Sequence, residues 1–242
     1  MPEMESKAEN PVWLIAGMDI HPLIEAYFEF NHLKQLYRQG WLKKGVPAER
    51  CESIAEHSFS TTVLAYFLAQ AYFPDLDPNR VIRLALLHDF GEVYVGDLTP
   101  DDHVSPERKE QLERQAITRI FSKLPNAGEY LGLWEEYERQ SSPEAGFVRQ
   151  IDRLEMALQA SVYEKQGFNG LDNFFVSAGR AISDPLLVAL LEEYAKGNLS
   201  AKKLTLKVRS YNPMAIRCYR RCGFQKDGGE GTLIRMSKRL PT

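Results

Sequence analysis

Cysteine, histidine and long apolar runs are all scarce in this chain of 242 residues. The three cysteines, Cys51, Cys218 and Cys222, are an odd set that favours reduced thiols over a disulfide framework. No segment approaches the roughly 18 to 20 apolar residues that a membrane span needs. The apolar run Val12–Ala16 lacks the basic leader of a signal peptide. We therefore expect a cytoplasmic protein that does not use a membrane.

Charge is distributed unevenly along the chain. Residues 201–242 contain eleven Lys or Arg and two acids, a net charge of +9, so residues 1–200 carry −12. The segment Gly197–Ser200 follows a Leu-rich helical pattern and reads as a linker. We predict an N-terminal extension, a mainly α domain and a small α/β tail, at residues 1–20, 21–197 and 198–242.

Four residues of metal-ligand type adjoin apolar helical patterns: His57, His88, Asp89 and Asp152. The dense apolar run Arg80–Val95 predicts a buried helix, which would carry the His88-Asp89 pair into the core. Burying an unpaired carboxylate beside an imidazole is costly, so a cation is the expected partner. Alone, each residue is more often a hydrogen-bonded core residue or a cap. The set of four on separate helices indicates a divalent-metal site.

Apolar residues at three- and four-residue steps accompany His57 and Asp152 as well. After His57 they are Val63, Leu64, Phe67, Leu68 and Ala71. Around Asp152 they are Phe147, Val148, Ile151, Leu154, Ala157 and Leu158. Three inward-facing helices could thus bring the four ligands to one point.

The order of these residues resembles the HD-domain phosphohydrolases, which bind a divalent cation through the pattern H…HD…D. Further segments are similar to the 5'-deoxynucleotidase branch of that family: Arg38–Trp41, Glu56–Ser58, His88–Glu92, Gly96-Asp97, Gln150–Glu155 and Leu158–Lys165. The resemblance covers roughly residues 25–195. It implies an all-helical HD-domain fold and a metal-dependent phosphomonoesterase that converts (deoxy)nucleoside 5'-monophosphates to nucleoside and phosphate.

The ligand types limit the metal to a borderline or hard divalent ion. Imidazole and carboxylate ligands suit manganese, cobalt, zinc, iron or magnesium, and their spacing does not choose among these. Such an ion can polarise a phosphoryl oxygen and lower the pKa of a bound water. HD enzymes with two metals need further histidines between the HD pair and the last Asp, and only His103 lies there. We therefore expect one metal ion.

Glu92 and Asp97 are the candidate catalytic residues. On a helix, Glu92 would share a face with His88 and Asp89, which places it to protonate the leaving oxygen. Asp97 follows Gly96 and could orient or deprotonate the attacking water, a general-base role that the family resemblance also implies. The alternative interpretations are a solvated helix charge for Glu92 and a turn residue for Asp97.

Arg38 and Trp41 are the candidate substrate-binding residues. A guanidinium matches phosphate geometry, and an indole can pack on a sugar or a base. Both fall in a segment similar to the sugar-contacting segment of the family. The better-known bacterial members have Arg directly before the Trp, whereas Gly40 stands there in this chain. The preference for deoxyribose over ribose therefore stays open.

The tail has the pattern of a different fold. Leu204–Val208 alternates like a strand, Pro213–Cys222 is helical in pattern, and Thr232–Met236 is again strand-like. It resembles the C-terminal piece of the GNAT N-acetyltransferases at Asn212, Ala215, Tyr219, Gly223 and Phe224. No Gly-rich loop of the acetyl-CoA-binding form precedes it, and the 42 residues from 201 to 242 are too few for an independent core. We expect a docked fragment rather than an active acetyltransferase.

Two other functions remain compatible with the sequence. One is a different HD phosphohydrolase activity, on a nucleoside triphosphate or a cyclic nucleotide. The other is a nucleotide-sensing or partner-binding protein that uses the GNAT-like tail. In each case the expected partner is a small nucleotide, and no aromatic pattern favours nucleic acid. The family resemblance and the small tail suggest a homo-oligomer.

Overall fold

The computed structural model describes residues 6–198, 203–211, 216, 220 and 224–239. The chain divides into two compact units, Met1–Arg149 and Gln150–Thr242, and the division falls within its longest helix. Among the described residues, no helix is both long and apolar enough to cross a lipid bilayer.

Helices account for most of the regular structure. They are α1 (Pro22–Phe30), α2 (Gln39–Leu42), α3 (Ile54–Tyr72), α4 (Pro78–Leu87), α5 (Glu92–Val95), α6 (Pro106–Phe121), α7 (Ala127–Arg139), α8 (Pro143–Lys165), α9 (Asp172–Ala181) and α10 (Pro185–Asn198). Three strands follow: β1 (Lys203–Arg209), β2 (Gln225–Glu230) and β3 (Leu233–Arg239). The predicted mainly α fold with a small C-terminal α/β part is confirmed.

The core of the first unit lies between pairs of packed helices. Helix α3 packs on α4, α4 packs on α7, and α6 packs on α1, α5 and α7. The largest fully buried side chains in this unit are Trp41, Ile54, Leu84, Ile117, Ile120, Phe121, Trp134 and Tyr137. Burying an apolar side chain of this size stabilises the fold by roughly 1.5–3 kcal/mol each. The helices that carry the predicted site residues are therefore held by a substantial core.

The helix predicted over Arg80–Val95 is interrupted, which corrects that prediction. Helix α4 ends at Leu87, and the next residues form tight turns in which the Phe90 and Glu92 amides donate to carbonyls three residues earlier. Helix α6 lies against this turn. A Cβ on Gly91 would stand 2.5 Å from Cβ of Glu113, so only glycine allows the approach.

The apolar face predicted for α3 is also wrong in part. Phe67 is 63% exposed, whereas the buried face contains polar residues. Its members are Ile54, His57, Ser58, Thr61, Ala65, Leu68 and Ala69. These residues recur at helical spacing and therefore share one face. Because the face includes His57, polar side chains are buried beside the apolar ones.

The second unit ends in a three-stranded antiparallel sheet of order β1-β3-β2. The sequence predicted β1 and β3 but not β2, since Gln-Lys-Asp-Gly-Gly-Glu has little intrinsic strand preference. Pairing with β3 therefore gives this segment its strand conformation. The chain turns back toward β3 at Gly231, which has a φ of +57°.

Of the GNAT-like positions, Phe224 is buried, and Asn212, Ala215, Tyr219 and Gly223 lie outside the described residues. Cys218 and Cys222 lie outside them as well, and Cys51 is a buried free thiol.

A buried carboxylate joins α1 to α5 and α6. The Glu29 side chain is fully buried and accepts hydrogen bonds from the Tyr94 hydroxyl and from Arg119 Nε at 3.0 Å. Lys123 Nζ approaches the second Glu29 oxygen at 2.7 Å and also contacts Glu25. A buried charge is tolerated when it is paired in this way, so we infer that the cluster fixes the position of α5.

We expect Lys123→Met to lower the free energy of unfolding by about 2 kcal/mol, because Glu29 would lose one of its two cations while staying buried. Urea unfolding followed by circular dichroism measures this change. The matched control is Lys34→Met, at an exposed position. Equal stability of the two variants would show that the Glu29 cluster contributes nothing through Lys123.

Candidate metal centre

His57 owes its buried position to the start of α3. Ser53 caps the helix: its hydroxyl accepts the Glu56 amide at 3.2 Å, and the Glu56 carboxylate accepts the Ser53 amide at 2.6 Å. This reciprocal cap satisfies two backbone donors and fixes the first helical residue. His57 follows in the first turn, and its side chain is fully buried.

His88 caps the C-terminus of α4, and its ring is oriented by the helix itself. Its Nδ1 lies 2.7 Å from the Ala85 carbonyl oxygen, an acceptor that requires the proton on Nδ1. In the neutral ring, Nε2 then carries the lone pair that a metal ion can bind. A ring whose second nitrogen donates to a backbone carbonyl is the usual arrangement for a metal-binding histidine.

The atoms of three predicted ligands meet at one point in the first unit. His88 Nε2 lies 3.4 Å from His57 Nε2 and 3.2 Å from Asp89 Oδ2. His57 Nε2 lies 3.6 Å from the same Asp89 oxygen. All three ligand atoms are thus within 4.8 Å of one another. Two imidazole nitrogens and a carboxylate oxygen form a donor set that suits a borderline divalent ion, so the residues fit a metal.

Arg38 lies beside the carboxylates of Asp89 and Asp97. Its Nη1 is 3.4 Å from Asp89 Oδ2 and 3.5 Å from Asp97 Oδ1. Burial by itself lowers the pKa of Arg38, but the two carboxylates raise it well above its usual value. Arg38 therefore stays charged, and the structure brings this predicted substrate residue to the predicted ligands.

The carboxylate of Asp89 is kept ionised by its neighbours. Burial acts to raise its pKa, but the His88 ring, the Arg38 charge and the His57 ring outweigh burial and hold the pKa well below its usual value. An ionised carboxylate is the form that binds a cation.

Asp97 is fixed by the backbone of α2. Its Oδ2 accepts the Gln39 amide at 2.6 Å, and the residue is 9% exposed. Asp97 follows Gly96, whose φ of +78° ends α5 and directs the chain back toward Arg38. The Gln39 amide, which directly follows Arg38 in the chain, therefore fixes Asp97 beside Arg38.

Glu92 is the first residue of α5 and is 3% exposed. Burial raises its pKa well above the usual value, and the charges of Asp89 and Asp97 raise it further, while Lys109 and Arg38 act in the opposite direction. Glu92 consequently favours its protonated form, which is the form of a general acid.

Trp41 lies below the surface. It is 2% exposed, and its indole Nε1 donates to Glu52 Oε1 at 2.7 Å. The buried ring therefore anchors the segment that carries Arg38 and Gln39. Its contact with a sugar or base stays a prediction.

Asp152, the fourth predicted ligand, belongs to the second unit. It lies on α8, is 6% exposed, and approaches Arg153 Nε at 3.6 Å through Oδ2. The burial agrees with the apolar stripe predicted around it. Its role as a ligand stays a prediction.

Lys109 and Glu113 were missed by the sequence reasoning. Lys109 Nζ lies 3.4 Å from Glu92 Oε1 and 3.3 Å from Glu113 Oε1. The only signal in the sequence is a Lys-Glu pair four residues apart, which is ordinary on a solvated helix.

The chain is similar to proteins of one family. Residues 30–213 match the HD domain family. The human protein named 5'-deoxynucleotidase HDDC2 is 40% identical over 184 residues, which cover 74% of this chain and 87% of that protein. The HD-domain resemblance is confirmed, while the GNAT-like tail and the domain boundaries stay predictions.

Two solved structures are similar in fold and in sequence. The PH0347 protein of Pyrococcus horikoshii has a TM-score of 0.60 and 32% identity, with 70% of this chain and 96% of that chain covered. A protein described as a predicted metal-dependent phosphohydrolase, from Magnetospirillum magnetotacticum, has a TM-score of 0.58 and 27% identity. The alignment covers 74% of this chain and 91% of that one.

Proposed function

This chain belongs to the HD domain family, and from that premise we propose that it hydrolyses (deoxy)nucleoside 5'-monophosphates to nucleoside and inorganic phosphate. The observation that carries the proposal is the convergence of His57, His88 and Asp89, whose ligand atoms lie within 4.8 Å of one another. The likeness to a protein named 5'-deoxynucleotidase supports the substrate class.

His57, His88 and Asp89 would hold one divalent cation, with Asp152 as the proposed fourth ligand. When bound, such a cation polarises a phosphoryl oxygen and lowers the pKa of water. Manganese, cobalt, zinc, iron and magnesium all suit these ligands. The ion's identity is therefore part of what the experiment determines.

Arg38 would bind the reacting phosphate, and Asp97 would act on the attacking water. The guanidinium of Arg38 is permanently charged and can bind two phosphate oxygens at once. Asp97, fixed by the Gln39 amide at 2.6 Å, can accept a proton from the attacking water.

Glu92 supplies the proton that the leaving group needs. As the bond from phosphorus to the 5'-oxygen breaks, its electron pair stays on that oxygen, and the proton of Glu92 moves there. Burial of Glu92 beside Asp89 and Asp97 raises its pKa and keeps this proton in place until the reaction.

The proposal predicts metal-dependent phosphate release. Protein stripped of metal is assayed with deoxy- and ribonucleoside 5'-monophosphates after addition of manganese, cobalt, zinc or magnesium. We expect release only with added metal, and a preference for deoxy substrates would show that Gly40 does not impair sugar selection. If folded, metal-loaded protein released no phosphate from any of these nucleotides, the proposal would be rejected. A triphosphate or cyclic nucleotide substrate, or a sensing role, would then be favoured.

A further inference from the structure

The loop of residues 98–104, which follows Asp97, is joined to the rest of the first unit by one side chain. In the part of the chain that the structure describes, every hydrogen bond from this loop to another segment is made by Lys43. Lys43 Nζ contacts the Thr99 hydroxyl and donates to Asp102 Oδ1 and Oδ2 at 2.9 and 3.0 Å. These contacts use all three donors of the ammonium group.

Inside the loop, Thr99 and Asp102 are bonded to each other. The Asp102 carboxylate accepts the Thr99 amide at 2.7 Å and the Thr99 hydroxyl at 2.8 Å. The Asp102 amide donates in turn to the Thr99 carbonyl at 3.0 Å. The hydrogen bond from Lys43 is the largest influence that lowers the pKa of Asp102, so a charged carboxylate meets the ammonium. Residues 99–102 therefore form one piece, and Lys43 is its outside attachment.

Lys43 stands on a segment that is fixed without the loop. It directly follows α2, where its amide donates to the Gln39 carbonyl at 3.0 Å. In the same segment, the buried Trp41 indole donates to the Glu52 side chain, and the Arg38 amide donates to the Glu52 carbonyl at 3.0 Å. Loss of the Lys43 ammonium would therefore release the loop and leave the backbone of Arg38 in place.

Asp97 lies where this loop begins, so the position of the loop acts on it directly. Its Oδ2 accepts the Gln39 amide at 2.6 Å, and its Oδ1 lies 3.5 Å from Arg38 Nη1. Helix α2 thus contacts this part of the chain at both of its ends, through Gln39 at its start and through Lys43 after its last residue. Each attachment removes conformational freedom from the residues between them.

We propose that Lys43 is a positioning residue for Asp97: it holds the loop against α2 and so keeps the Asp97 carboxylate at the Gln39 amide, where it acts on the attacking water. This inference rests on the proposed phosphatase function, in which Asp97 is the base. A displacement of about 1 Å in a reacting group can slow a reaction substantially. Because the segment of Arg38 is held independently, Lys43 affects kcat rather than KM.

Lys43→Met tests the inference in the full-length protein loaded with Mn²⁺. We expect kcat on the preferred nucleotide to fall about 5- to 20-fold, with KM and Mn²⁺ affinity changed less than about 3-fold. A p-nitrophenyl phosphate ester should lose as much rate, because attack by water is common to both reactions. Lys43→Arg should keep most of the activity, since a guanidinium can bind both Asp102 oxygens. The ion pair is partly exposed and contributes little to global stability, so the variant should stay folded.

Hydrogen exchange at the Gln39 amide gives a second readout that needs no activity. Gln39 begins α2, where a backbone amide has no acceptor in its own helix, and Asp97 supplies one. In Lys43→Met this amide should exchange at least about 3-fold faster, measured by NMR on protein loaded with Mg²⁺. Lys44→Met is the matched control because it removes an exposed cation from the next position, and it should match the wild type in both readouts.

Asp102→Asn is the second variant, since it keeps the shape of the side chain but removes the charge that Lys43 binds. Its kcat should also fall, and the double variant should lose no more than the worse of the two single variants. Inactive wild-type protein would reject the phosphatase, and the exchange rates would still show whether Lys43 holds Asp97. With active wild-type protein, an unchanged kcat in Lys43→Met, a loss confined to the nucleotide, a change in KM alone or an unchanged Gln39 exchange rate would overturn the role of Lys43.

Discussion

Asp89→Ala should abolish metal binding and turnover together. The Asp89 carboxylate lies 3.2 Å from His88 Nε2 and 3.6 Å from His57 Nε2, so its removal takes the only negative ligand from this group of three. Two neutral imidazoles bind a divalent ion much more weakly than a set that includes a carboxylate. We expect Mn²⁺ affinity to fall at least about 100-fold and phosphate release at least about 1,000-fold.

The measurement pairs Mn²⁺ titration by electron paramagnetic resonance with phosphate release. Asp75→Ala is the matched control, because it removes the same group from an exposed position. Circular dichroism and thermal unfolding must show that Asp89→Ala is folded, since it also deprives Arg38 of one counter-charge. A folded variant that binds Mn²⁺ like the wild type would mean that Asp89 is not a ligand.

The approach of His57, His88 and Asp89 to one another could be predicted because each lies beside an apolar helical pattern, although the apolar face predicted for α3 is wrong in part. One face of the segment before His88 is buried as expected, with Val81, Leu84 and Ala85 inaccessible, whereas Leu86 is 48% exposed. The pattern does not show where a helix stops. Helix α4 ends at Leu87, and Gly91 in the turn that follows packs against Glu113, a contact between residues more than twenty positions apart in the sequence.

Lys109 and Glu113 could not be predicted, because their segment looks like an ordinary solvated helix. Glu-Arg-Lys-Glu-Gln-Leu-Glu-Arg contains seven polar residues in eight, which gives no sign that two of them are directed to a buried site. Strand β2 was missed for a related reason: its residues form a strand only because β3 lies beside them. In both cases the surroundings of the segment are set by residues that lie far from it in the sequence.

The charges of the site shift the pKa values of Asp89 and Glu92 in opposite directions. Asp89 has Arg38 and two imidazoles around it, which keep its pKa low despite burial. Glu92 is more deeply buried and faces two carboxylates, so its pKa is raised. Environments that separate the pKa values of neighbouring acids are typical of sites in which one carboxylate binds and another donates a proton.

Glu92→Gln should keep metal binding through His57, His88 and Asp89 while kcat on a nucleoside 5'-monophosphate falls about 100- to 10,000-fold. Glutamine has nearly the same shape and can still accept a hydrogen bond from Lys109, but it cannot release a proton to the leaving oxygen. The wild type should lose activity as the pH rises through the pKa of Glu92, because the working form is the protonated acid. This alkaline limb should be absent from the variant.

The leaving group separates proton donation from a purely structural role. With a p-nitrophenyl phosphate ester the departing oxygen is stable as an anion, so the loss caused by Glu92→Gln should shrink to less than about 10-fold. Glu110→Gln, at an exposed position on α6, is the control for removal of a negative charge from the same region. If Glu92→Gln slowed both substrates equally, the proton would have to come from another group. Glu92 would then act on the shape or the charge of the site.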